Sequence, residues 1–105
     1  MRALVVAALG LAACARRVPP PVTPAAVDHA QARWADASVA QLERGRAVLM
    51  ARCAGCHLTP LPSDLAAAAW PANLDEMAPE ANLTGPERVD LERYLVSLAG
   101  AAASR

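Results

Sequence analysis

The strongest apolar-polar rhythm in the chain lies near its C-terminal end. Leu91, Tyr94, Leu95 and Leu98 recur at i, i+3, i+4 and i+7, the spacing of one face of an α-helix. Asp90, Glu92, Arg93 and Ser97 fall mostly on the outer side. Thr84 with Glu87 reads as a capping box, Pro86 stands in the first turn where proline is tolerated, and Gly100 is a plausible stop. A second helix is predicted from Ser38, read with Gln41 as another capping box, to about Ala51. Leu42, Gly45 and Leu49 share one of its faces and Cys53 continues the line. Gly45 is costly in a helix interior, up to about 1 kcal/mol against Ala, which a close approach by another helix would justify. Between these helices, Pro60 and Pro62 predict a loop. Trp70-Pro71 then opens a short helix in which Leu74 and Met77 share a face, Asp75 and Glu76 point outward, and Pro79 marks an end nearby. No strand pattern and no internal repeat is visible. The predicted class is all-α, with three to four short helices.

The N-terminal segment follows different rules. MRALVVAALGLAAC, residues 1–14, has a charged start at Arg2 and then an apolar run of about eleven residues, against the roughly 20 of a bilayer-spanning helix. That is a secretory signal pattern. Leu11-Ala12-Ala13-Cys14 resembles the lipobox of bacterial lipoproteins, which implies lipidation of Cys14 and a firm membrane anchor. ARRVPPPVTPAA, residues 15–26, is Pro-rich and reads as an extended, semi-rigid spacer; Arg16 and Arg17 would lie near lipid headgroups. Residues 27–37, with His29 and Trp34, show little pattern. The chain thus divides into a signal over 1–13, a lipid-anchored linker over 14–37 and a folded domain over 38–105.

Composition narrows the folded part. In 105 residues there are ten Arg, no Lys, ten acidic residues, two Trp, one Tyr and no Phe. There is no basic run and almost no aromatic surface, so no nucleic-acid footprint. Much of the apolar content is Ala, which buries little area per residue. So short a chain with so light a core points to a disulfide, a metal or a bound group that completes it.

RCAGCH, residues 52–57, offers three chemistries. Structural zinc needs four ligands; Cys53, Cys56 and His57 supply three, adjacent residues rarely turn to one ion, and only His29 is left to complete the set. A redox dithiol suits an exported chain but normally follows a strand, and no strand is predicted. Covalent haem accords with every feature. The thiols of Cys53 and Cys56 add to the two haem vinyl groups, His57 presents its imidazole to the iron, and the disc supplies the missing core.

With these residues in view, the stretch from about Ser38 to Leu98 resembles a small monohaem class I cytochrome c. Gly45 stands eight before Cys53 and Leu49 four before it, where the family carries a Gly and a large apolar or aromatic residue. RYLVSL, residues 93–98, is similar to the family's C-terminal helix, whose aromatic packs on that Gly. The resemblance implies contact between Gly45 and Tyr94, one haem c with its iron, and Met77 as sixth ligand opposite His57, with Leu74 and Trp70 as walls. His29 is the rival ligand and Met50 is tied to the attachment side. Pro60 or Pro62 would offer a carbonyl to the second nitrogen of His57. Arg44, Arg46 and Arg52 cluster near the attachment turn; one could meet a propionate, the rest are expected in solvent. Departures from the family are the short interval of twenty positions between His57 and Met77, Leu49 in place of the commoner Phe, and the absence of Lys patches for docking.

The expected function is single-electron transfer by a His/Met-ligated haem, without enzymatic acid, base or nucleophile, at the periplasmic or outer face of a bacterial envelope. The expected partners are redox proteins and the membrane. Ala15 after Cys14, in place of the Asp that retains enterobacterial lipoproteins in the inner membrane, leans toward the outer one. The rival functions are a five-coordinate haem that binds a gas or peroxide, and a haem subunit docked to a larger oxidoreductase.

Overall fold

A computed structural model of the chain describes residues 17–53 and 58–104. Within them the secondary structure is entirely helical: α1 (Pro24–Arg33), α2 (Val39–Arg52), α3 (Trp70–Glu80) and α4 (Gly85–Ala103), with two 3-10 turns at Pro62–Asp64 and Ala67–Ala69 before α3. None of these helices is long and apolar enough to cross a membrane.

Local chemistry accounts for most of the helix ends. The Ser38 hydroxyl accepts the Gln41 N–H at 3.1 Å and opens α2. The reciprocal half of the expected box is absent, because the Gln41 amide reaches across to α4, donating to Asp90 and accepting from Arg93. At α4 both halves are made: Thr84 Oγ1 accepts the Glu87 N–H, and the Glu87 carboxylate accepts the Thr84 N–H. The end of α3 is set less by Pro79, which lies inside it, than by Asn82. Asn82 has φ 53°, the Asn82 N–H donates to Pro79 O and the Leu83 N–H to Ala78 O. This is a Schellman closure, with Asn in the left-handed position usually held by Gly.

α4 is the element on which the others dock: α1, α2, α3 and both 3-10 turns pack against it. Leu42, Gly45 and Leu49 are buried on α2, as their spacing predicts, and Leu91, Tyr94, Leu95 and Leu98 on α4. Where α2 and α4 cross, a Cβ on Gly45 would collide with the Asp90 carbonyl oxygen and lie 2.7 Å from Tyr94 Cβ. The glycine is the condition for that approach.

Two expectations fail on α4. Ser97, expected on the outer side, is fully buried, since α1 and the 3-10 turns cover the face opposite α2. Gly100 does not stop the helix, which runs on to Ala103. A Cβ there would stand 2.9 Å from His29 Nδ1, so the glycine makes room for α1.

The linker expected over residues 14–37 is folded in its described part. Thr23 Oγ1 accepts the Ala26 N–H, Pro24 occupies the first turn, and α1 buries Ala26 and Ala30 completely. The residues before it form a strap on the helix crossing. Pro19 is buried, Arg46 donates to the carbonyls of Pro19 and Pro20, and the Tyr94 hydroxyl donates to Pro20 O at 2.6 Å. Arg17 pairs with Asp64 beside the first 3-10 turn. After α1, the Trp34 ring lies under two guanidinium groups, Arg33 at 4.9 Å and Arg93 at 5.2 Å.

Candidate haem-attachment site

α2 delivers Cys53. Its N–H donates to Leu49 O at 3.1 Å, which carries the helical ladder to the cysteine and fixes it as the C-cap. The side chain faces inward and is 3% exposed. Cys14, Cys56 and His57 lie outside the described residues. The chain is described again from Leu58, which is 65% exposed, and Pro60 follows in the turn that leads to Pro62–Asp64.

Met77 meets Cys53 across a cavity of about 230 Å³. Its walls are Arg52 and Cys53 from the end of α2, Leu58 and Pro60 from the loop, and Met77, Glu80 and Ala81 from the end of α3. Three predicted site residues, Cys53, Pro60 and Met77, are thus brought together although they span twenty-five positions (77 − 53 = 24 steps). Leu49, Trp70 and Leu74 are fully buried in the main core, outside the lining of this cavity. Leu58, Glu80 and Ala81 belong to the lining without having been expected there, whereas Arg52 was expected beside the attachment turn. Glu80 and Ala81 follow Met77 within one turn, so helical spacing from Met77 was the available signal.

The two prolines are no longer equivalent. Pro62 is buried and its carbonyl accepts the Trp70 indole N–H at 3.0 Å, whereas Pro60 is on the cavity wall. His29 shares no lining with Met77. It faces a different hollow with Arg33, Ala67, Ser97 and Gly100, and its Nε2 is 3.1 Å from Ser104 Oγ. Asn73, one turn before Met77 on α3, has a buried Oδ1 without a hydrogen-bond partner among the described residues.

Each of the three arginines near the attachment turn has a partner, while Arg44 and Arg52 stay exposed to solvent as expected. Arg44 Nε is 3.2 Å from Asp90 Oδ2, Arg46 holds the strap, and Arg52 Nε is 3.2 Å from Glu87 Oε2. The Thr84 N–H, with a smaller contribution from Arg52, holds the Glu87 carboxyl below its ordinary value. The rim of the cavity therefore carries a fixed cation at Arg52 and an anion at Glu80.

The donors suit a c-type haem: a buried thiol at a helix end and a half-buried thioether across a mainly apolar space. The volume is below the roughly 300–1,000 Å³ of ligand clefts in general, so a haem-sized ring would require the walls to move apart. No protein-family model, no curated protein and no solved structure matches this chain.

Proposed function

We propose that this chain is a lipid-anchored monohaem c-type cytochrome that carries single electrons at the outer side of a bacterial membrane. The observation that carries the reading is the shared cavity of Cys53 and Met77, with Cys53 the first residue of a Cys-Ala-Gly-Cys-His sequence. The all-helical frame and the glycine-mediated crossing of α2 and α4 at Tyr94 support it as well.

The chain's own residues divide the work. The thiols of Cys53 and Cys56 would hold a haem covalently through its two vinyl groups, and His57 and Met77 would serve as ligands to its iron. The Pro60 carbonyl, on the cavity wall, would serve as acceptor for the second imidazole N–H of His57. Leu58, Pro60 and Ala81 supply apolar wall to the cavity, and Arg52 offers a cation at its rim. When bound, the haem supplies a one-electron iron couple whose potential a His/Met pair sets relatively high.

Visible absorption of the purified chain, oxidised, reduced, and reduced under carbon monoxide, tests this reading alongside Met77→Ala. Indifference of the native protein to carbon monoxide, with a weak red methionine–iron band, and loss of both in the variant, is the expected result. Ready binding of carbon monoxide by the native protein would replace electron transfer with gas binding or peroxide chemistry. Absence of a c-type spectrum after expression with haem-attachment machinery would remove Cys53, Cys56 and His57 from the account.

A further inference from the structure

We infer that the strap holds the domain directly against the lipid surface in one orientation, so that the segment after Cys14 works as a clamp and not as a spacer. The inference rests on the lipidation of Cys14 proposed above and needs no haem.

The argument is one of reach. Cys14 is three residues before Arg17, and three residues of fully extended chain span at most about 11 Å. From Arg17 onward the chain is tied to the domain at successive points. Arg17 pairs with Asp64, Pro19 is buried, and the Pro19 and Pro20 carbonyls accept from Arg46. Tyr94 closes the Pro20 carbonyl from the α4 side, and Thr23 then caps α1. A polyproline spacer that stayed extended from Cys14 to Pro24 would instead allow a stand-off of about 31 Å over its ten residues.

The chemistry of the outer edge of the strap suits headgroups. Val18 is 62% exposed and Pro21 is exposed beside it, so an apolar side chain and a ring with no N–H to satisfy face outward next to the arginine at which the clamp begins. An apolar residue beside an arginine is a combination that settles at a lipid interface. The occupant of this edge is the bilayer that holds the anchor.

Neutron reflectometry of the full lipidated chain on a supported bilayer of phosphatidylethanolamine and phosphatidylglycerol measures the gap between headgroups and protein. The expected gap for the native chain is within about 11 Å. A Gly-Ser insertion after Ala15, which leaves every strap contact intact, should widen it. Arg46→Ala, which frees the Pro19 carbonyl and leaves Pro20 held by Tyr94 alone, should widen it and blur the protein layer. A native gap near 31 Å, or one indifferent to the insertion, overturns the clamp while leaving the anchor standing. A chain that washes off and carries no acyl mass overturns the anchor and the clamp together.

Discussion

The hydroxyl of Tyr94 donates a 2.6 Å hydrogen bond to the carbonyl oxygen of Pro20, seventy-four positions earlier in the chain. The ring of the same side chain is fully buried against the α2–α4 crossing. One residue therefore joins the strap, α2 and α4. Burial pushes its phenol up to about 12 from an ordinary 10.0. The neutral form is the folded form, so its contribution is complete below pH 10 and is lost as pH rises toward 12. Tyr94→Phe should lower stability by about 1 kcal/mol at neutral pH and remove this part of the alkaline loss, as urea titrations at both pH values would show.

Asp64 supplies the opposite sign. The Leu61 N–H first, and Arg17 second, hold its carboxyl below the ordinary 3.8. A depressed carboxylate contributes stability that is present above its unfolded value and lost as pH falls through the folded one. Asp64→Asn should flatten the stability profile below pH 3.8. It should also free the N-terminal end of the strap, which proteolysis at Arg17 would register.

Gly45→Ala should destabilise although Ala is the better helix former. The gain in propensity is about 1 kcal/mol, but the new methyl meets the Asp90 backbone and Tyr94 Cβ, and overpacking of this kind costs about 1–3 kcal/mol. Thermal unfolding should show a net loss, and Gly45→Leu should not fold to the native crossing.

Asn82 is at φ 53° in the closure of α3. Asn82→Gly should be neutral or slightly stabilising, and Asn82→Ala should cost about 1 kcal/mol. Since α3 carries Met77, the Ala variant should also shift the carbon monoxide sensitivity of the haem-loaded protein.

Haem loading should displace Leu58 and Pro60, because the cavity between Cys53 and Met77 is about 230 Å³. Amide chemical shifts of Leu58, Thr59, Glu80 and Ala81 should change between the unloaded and loaded forms. Those of His29 and Gly100, on a different hollow, should change little.

The sequence pattern made α2, α3 and α4 legible because each carries large apolar residues at helical spacing. α1 was not, because its buried face consists of Ala26 and Ala30, whose methyl groups contrast weakly with the residues around them. Its start was readable in Thr23-Pro24, yet four prolines within residues 19–24 suggested an extended arm. The strap is extended as expected; that it is docked depends on Arg46 and Tyr94, far away in sequence. Gly45 was informative because a helix-interior glycine has to be explained, whereas Gly100 resembled a stop signal and is in fact a second close approach. At the candidate site, Cys53 and Met77 stood out by their sulfur atoms, and both line one cavity. The difference between Pro60 and Pro62 did not, since it turns on the Trp70 indole.

The packing of every other element on α4 sets the order in which the fold can close. α1, α2 and α3 are made before α4, and apart from the contact of α3 with the second 3-10 turn no other pair of elements packs extensively. A chain made from its N-terminus therefore has little to close upon until its fourth helix follows. The delay comes from topology alone and ends only once α4, Gly85–Ala103, has been made.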